Sequence, residues 1–187
     1  MAKYGTVIVL SAPSGAGKHT ILKRARAQDP KLAYSVSATT RAPRQGEVDG
    51  KDYYFLDRDT FEQRVANGEF AEWAEVHGNL YGTLRSELDR LVSSGKDVVL
   101  ELDVQGMRSL KATGLNVVTI FIMPPSEAEL ARRLENRGAN TPEDTALRLK
   151  NAREEMAARD EYDYVIVNDE LNQAVEAFQN IVRQYRV

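Results

Sequence analysis

The chain of 187 residues has no cysteine, which excludes disulfides and any cysteine-ligated metal. No stretch approaches the roughly 18 consecutive apolar residues that a membrane-spanning helix needs. A basic excess is missing too: 25 Lys and Arg face 28 Asp and Glu, a formal net charge of −3. Wholesale binding to a nucleic-acid backbone depends on such an excess, so any anion this protein holds has to be met by a local basic cluster. Internal repeats and low-complexity linkers are lacking. The opening "MAKYGTVIVL" is too short and too quickly strand-like for a signal peptide, and a cytoplasmic location is the expectation. The composition, 42% hydrophobic and 28% charged, is that of an ordinary globular protein, and the length suits one domain with inserted lobes.

Four apolar runs carry the fold prediction. "TVIVLS" (Thr6–Ser11) leads into a Gly-rich loop, and "KHTILKRARAQ" then puts Ile21, Leu22 and Ala25 on one side of a helix. "DVVLELD" (Asp97–Asp103), "VVTIFIM" (Val117–Met123) and "YDYVIVND" (Tyr162–Asp169) read as strands buried on both faces. Such runs belong to a parallel sheet flanked by helices, an α/β core. Residues 35–95 differ in character and are expected to form an inserted lobe. Within it Asp59 and Glu62 have capping-box spacing for a short helix ending near Gly68, and a helix through Leu84, Leu88 and Leu91 closes the lobe. A second insertion, residues 126–159, reads as two helices around Gly138, the later one begun by Thr141 as N-cap and Pro142 in its first turn. It is a candidate lid.

"SAPSGAGKHT" (Ser11–Thr20) departs twice from the phosphate-loop pattern G-x-x-x-x-G-K-[ST]: Ala12 stands at the first Gly and His19 at the hydroxyl residue. A phosphate cradle works through backbone N–H groups at a helix N-terminus and a Lys point charge. Ser14, Gly15, Ala16, Gly17, Lys18, His19 and Thr20 supply these, and only the hydroxyl that often ligates Mg²⁺ is lost. Thr20 comes one residue late to replace it, and His19 reads as solvent-facing.

"SVSATTRAPRQGEVDGKDYYF" closely resembles the signature of guanylate kinases, which pass the γ-phosphoryl of ATP to GMP. The resemblance extends, in family order and spacing, through "FAEWAEVHGNLYGT", "ELDVQG", "PPS", "RLENRG" and "IVND", nearly the whole chain. It implies a P-loop nucleoside monophosphate kinase with a core (1–34, 96–125 and 160–187), a GMP-binding lobe (35–95) and a helical lid (126–159). ATP is then co-substrate, Mg²⁺ the cofactor and GMP or dGMP the acceptor; a nucleic-acid or membrane partner is not expected, and the oligomeric state stays open. Relatives already dispense with the hydroxyl after the Lys, so His19 occupies a permissive position.

The resemblance also assigns residues. Arg41 and Arg44, with the phenols of Tyr53 and Tyr81, make a clamp for the acceptor phosphate, since each guanidinium can grip a phosphate in bidentate fashion. Glu72 matches the carboxylate that accepts from guanine N1–H and N2, and Ser37 and Thr83 match hydroxyls on the O6/N7 side. Glu101 and Asp103, two residues apart at the end of a buried strand, are assigned to GMP and, through water, to Mg²⁺; which stands nearer the metal is open, and the family usually has Asp where Glu101 stands. The alternative for this pair is a structural strand end. Arg137 and Arg148 correspond to lid arginines at the transferring phosphoryl, while Arg132, Arg133 and Arg153 read as solvated. Asn168 and Asp169 resemble residues flanking the adenine of ATP. Two rivals remain at this point: a catalytically inactive guanylate-kinase-like module that binds phosphopeptides, and a related kinase of a phosphorylated sugar.

Overall fold

The computed structural model describes residues 4–76, 78–135 and 142–186. Its main sheet is parallel, in the order β2-β7-β1-β8-β9. The strands are β1 (Val7–Ser11), β2 (Leu32–Tyr34), β7 (Asp97–Glu101), β8 (Val117–Met123) and β9 (Tyr164–Val167). β1 is central and wholly buried. The pleat sends Ile8 and Leu10 into one core, under α1 (Lys18–Gln28) and α7 (Leu171–Gln184), and Val7 and Val9 into another. The second core lies beneath α3 (Arg85–Ser93) and α4 (Val104–Ala112), which contribute Leu88, Leu91, Met107 and Leu110. In α1 the buried residues are Ile21, Leu22 and Ala25, as the sequence spacing predicts. The expected α/β core with a parallel sheet between helices is the one observed.

β9 differs from the sequence expectation. Only Ile166 is buried, while Val165 and Val167 are 44% and 55% exposed. Among the described residues the strand is at the sheet edge and pairs with β8, so an apolar Val-Ile-Val run here is covered on one face alone.

The inserted segment builds a second sheet, β4-β3-β6-β5, from β3 (Ala38–Thr39), β4 (Tyr54–Phe55), β5 (Phe70–Val76) and β6 (Asn79–Leu84). Its core holds Ala38, Phe61, Phe70, Leu80 and Leu84, with the Phe61 and Phe70 rings stacked at 4.3 Å. Phe61 comes from α2 (Arg58–Ala66). The cap of α2 is Asp57, not the predicted Asp59: Asp57 is extended (φ −70°, ψ 163°) and accepts from Thr60 N at 2.7 Å, whereas Asp59 is already in the first turn. Similarly, Leu84 ends β6 and caps α3 rather than lying within it. Packing of α3 on the main core ties the lobe to the large sheet. The last pair of helices, α5 (Glu127–Glu135) and α6 (Pro142–Ala157), share a small core of Leu130, Leu134 and Ala152. Thr141 and Gly138 lie outside the described residues.

Candidate active site

The donor end is made largely of backbone. β1 delivers the chain to a turn in which Gly15 and Gly17 have φ of +92° and +93°, conformations a side chain rarely adopts. Gly17 is the N-cap of α1 and no side chain caps this helix, so the first-turn N–H groups face outward for an anion. Leu130 and Leu134 of α5 pack on the loop at Gly15, where a Cβ would meet them at 3.0 and 3.1 Å. Ala16 is buried, whereas Ser14, His19 and Thr20 are exposed. Lys18 Nζ stands 3.7 Å from Glu101 Oε2; His19, its side chain 84% exposed, reaches only 3.9 Å from the other carboxylate oxygen. Gly15, Gly17, Thr20, Asn168 and Asp169 line a cleft of about 410 Å³ with Arg133 and Leu171.

A second cavity, about 230 Å³, opens between the main sheet and the lobe. Among the residues lining it are Lys18, Ser37, Tyr53, Glu72, Tyr81, Glu101 and Asp103, drawn from widely separated parts of the sequence. Glu72 is only 6% exposed. Its Oε1 accepts a 2.7 Å hydrogen bond from Thr83 Oγ1, and Thr83 is itself fully buried. Burial, reinforced by the nearby Asp103 charge and opposed by the Thr83 bond, pushes the Glu72 carboxyl up to about 7. Such a group is a strong acceptor aimed into a shielded space, and a ligand offering two adjacent donors would satisfy it. The Tyr53 and Tyr81 rings meet edge-on at 6.1 Å, and burial raises the Tyr53 phenol.

Arg41 sits over the Tyr53 ring at 5.3 Å. Its guanidinium is engaged: Nη2 bonds both Glu47 oxygens (2.8 and 3.0 Å) and Nη1 bonds Ala42 O at 2.7 Å. Arg44 is exposed, and its backbone N–H donates to Glu47 at 2.7 Å. Glu47 thus organises the turn that carries both arginines, and the Arg41 bonds, ahead of the Arg44 N–H, hold its carboxyl below the usual range. Glu101 ends β7, but Asp103 lies beyond the strand, where it caps α4 by accepting from Gly106 N at 2.7 Å. The strand end expected for both carboxylates is therefore divided into a strand end for Glu101 and a helix cap for Asp103, since the chain turns into α4 after Leu102. Arg148 is exposed on α6, and Arg137 lies outside the described residues. Arg132 pairs with Glu129, and Arg153 with Glu127.

Comparison with known proteins decides the family. The family model for guanylate kinase matches residues 4–185. The chain belongs to the guanylate kinase family. A guanylate kinase of Thermotoga maritima is 47% identical over 97% of this chain and 88% of its own length, and one of Rubrobacter xylanophilus is 48% identical over 97% and 95%. The crystal structure of guanylate kinase from Anaplasma phagocytophilum superposes with a TM-score of 0.77 at 39% identity, covering 99% of this chain and 88% of that one. A shikimate kinase structure from Bacteroides thetaiotaomicron, 16% identical with a TM-score of 0.50, shares the fold alone.

As a member of the guanylate kinase family, the chain lines its acceptor cavity with several groups that sequence reasoning did not single out. Tyr34, at the end of β2, forms one wall and has its phenol raised by burial. Gly106 lets α4 approach Glu72 closely, since a Cβ there would lie 3.3 Å from Glu72 Oε2; a glycine in the first turn of a helix is the available signal. Glu155 of α6 is a further acid near the centre, its carboxyl raised by burial and then by Asp103, with Lys18 opposing. Nothing in "AREEMAARD" distinguishes it from its neighbours.

Proposed function

We propose that this chain transfers the γ-phosphoryl of ATP to GMP, giving ADP and GDP, with dGMP as a second acceptor. The observation that carries the reading is Glu72: a buried carboxylate, backed by the Thr83 hydroxyl, facing the same cavity as Lys18. Guanine presents N1–H and N2–H side by side, and one carboxylate accepts both; adenine presents an acceptor and a C–H there, leaving Glu72 unpaired. Ser37 takes the O6/N7 side; the Thr83 hydroxyl, to which the resemblance gives the same role, is fully buried and gives its one proton to Glu72, so it supports the carboxylate instead.

In phosphoryl transfer the protein acts mainly by positioning and by stabilising charge. The loop N–H groups from Gly15 to Thr20 and the Lys18 ammonium hold the donor phosphates. Arg41, Arg44, Tyr53 and Tyr81 hold the acceptor phosphate, with the Arg41 guanidinium presented over Tyr53 by Glu47. Asn168 and Asp169 border the adenine. In this division a core (1–34, 96–125, 160–187) carries a GMP lobe (35–95) and a lid (126–159); closure brings Arg137 and Arg148 to the γ-phosphoryl and excludes water, which limits ATP hydrolysis.

The donor set also suits Mg²⁺. Among the described residues no group of three or more acidic or histidine side chains could cage a metal, and Glu101 and Asp103 are two carboxylates at the phosphate end. Mg²⁺ takes one or two carboxylates and completes its shell with waters and substrate phosphates. Glu101 and Asp103 would hold it through water, and the ion supplies charge neutralisation at the β- and γ-phosphates. The protein is read as cytoplasmic; among the described residues no helix is long and apolar enough to cross a membrane.

A coupled ADP-release assay with GMP, dGMP, AMP, UMP and ribose bisphosphate tests the reading. Turnover of GMP and dGMP far above the others is expected. Release with ribose bisphosphate alone would point to a sugar-phosphate kinase, and no release with any acceptor to a phosphopeptide-binding module.

A further inference from the structure

Asn168 connects the donor cleft to the phosphate loop in a way that base contact does not require. It follows β9, and its side chain is buried, 5% exposed. Its Nδ2 donates a 2.7 Å hydrogen bond to Ala16 O. That nitrogen also lies 2.3 Å from where a Cβ on Gly17 would be, so the amide is seated against the loop. The main chain of Asn168 is fixed at both ends: its N–H donates to Met123 O at 2.8 Å, and its carbonyl accepts from Arg133 Nη2 at 3.2 Å. Arg133 Nε in turn pairs with Glu129 at 2.8 Å.

The Ala16 carbonyl and the Gly17 N–H belong to one planar peptide unit, and in a trans peptide these two groups point in opposite directions; the described peptide bonds include no cis bond. Holding the carbonyl back toward Asn168 therefore aims the Gly17 N–H forward, toward the space a phosphate would fill. Gly17 has φ +93°, and a glycine-containing turn exchanges peptide orientations at little steric cost, so the orientation needs an outside restraint. Within the donor-site reading given above, we propose that Asn168 is a positioning residue for the phosphate loop, fixing the Ala16–Gly17 peptide so that its N–H faces the triphosphate whichever base is attached. Asn168 then acts through the loop, and Asp169 and the main chain are left to border the base.

The test replaces Asn168 with Ala and with Leu, which keeps the branched shape but cannot donate a hydrogen bond. Calorimetry measures binding of ATP and of inorganic tripolyphosphate, each with Mg²⁺, and steady-state kinetics give KM for ATP and GMP. Loss of one buried hydrogen bond and of loop order is expected to weaken ATP and tripolyphosphate alike, by about tenfold, and to raise the KM for ATP while leaving that for GMP within about twofold. Weakened ATP binding with unchanged tripolyphosphate binding would mean that Asn168 reads the base. An equal rise in both KM values would mean general damage to the fold. Failure of tripolyphosphate to bind the unsubstituted protein would also overturn the proposal. If tripolyphosphate binds and depends on Asn168 but GMP is not turned over, the activity reading fails and the positioning role stands.

Discussion

The two ends of the active-site region are prepared with different materials. At the donor end the anion-facing groups are main-chain N–H groups, set by two left-handed glycines, by leucines of α5 against Gly15 and by the Asn168 amide on Ala16. At the acceptor end the charged groups are side chains that already have protein partners: Arg41 with Glu47, and Glu72 with Thr83. A main-chain cradle is preorganised and tolerant of sequence at its own positions, because its donors are N–H groups. A side-chain site is selective, and its charges are held in place by internal partners. Substitutions at the donor end should therefore cost rate for every acceptor, and those at the acceptor end should change selectivity and respond to pH.

The largest expected effect is at Lys18, the ammonium of the phosphate loop. Lys18→Ala should lower kcat by about 10³-fold for GMP and dGMP alike, the scale of losing a donor to developing charge. A fall of less than tenfold in steady-state assays would mean that the backbone suffices, which would make the contrast between the two ends sharper still.

Glu72→Gln comes next. It should cost GMP about 2–3 kcal/mol in kcat/KM, with far less effect on AMP; an unchanged GMP-to-AMP ratio would remove Glu72 from base recognition. The same change should stabilise the unliganded protein at high pH. The Glu72 carboxyl titrates near 4.5 when unfolded and is pushed up to about 7 in the fold. Between those values the folded chain holds a proton that the unfolded chain has released. Its contribution is thus present below about pH 4.5 and lost as pH rises through 7, an amount of order a few kcal/mol. Gln does not titrate, so Tm of the variant should exceed that of the parent at pH 8, with the gap narrowing at pH 5. A constant gap in scanning calorimetry would mean that the buried charge is not what strains the site.

The same contrast governs what the sequence made legible. The central strands β1, β7 and β8 announce themselves because they are buried on both faces and therefore mostly apolar. β9 carries the same Val-Ile-Val signature but lies at the edge, and a strand's neighbours are not written in its own residues. β3 and β4, two residues each, are too short for any periodicity to register. Lys18 is found from its loop because glycine spacing encodes a backbone shape. Glu72 in "FAEWAE" has the local look of an exposed charge, and family resemblance alone singles it out; its burial comes from β6 and α4, distant in sequence. Glu47 went unremarked for the same reason: pairing across a turn has no periodic signal.

Glu47→Gln probes the acceptor end more gently. Removing one charge of a surface pair is a small perturbation, so KM for GMP should rise by no more than about fivefold while KM for ATP stays put. The expected direction follows from Glu47 holding the Arg41 guanidinium over Tyr53 at 5.3 Å. A fall in KM for GMP would instead make Glu47 a competitor for the phosphate, and the acceptor end would then be restrained by its own partners, not prepared by them.

The smallest effect is expected at His19, one of the two residues that break the phosphate-loop pattern. A hydroxyl at this position would offer a ligand to Mg²⁺, yet the cradle itself is built from N–H groups that any residue supplies. The imidazole is 84% exposed and no nearer than 3.9 Å to Glu101 Oε1, beyond hydrogen-bonding range, and an ion pair so exposed contributes close to nothing. Lys18, 3.7 Å from the other oxygen of the same carboxylate and largely buried, already supplies the local charge. His19→Ser should therefore change kcat by less than about twofold at saturating Mg²⁺. Its one visible consequence should be a lower Mg²⁺ requirement, if the new hydroxyl reaches the ion. Titrating activity against Mg²⁺ for both proteins separates the cases: coincident curves mean that position 19 is outside the metal shell, and a large fall in kcat would make His19 a working part of a donor end that is otherwise backbone.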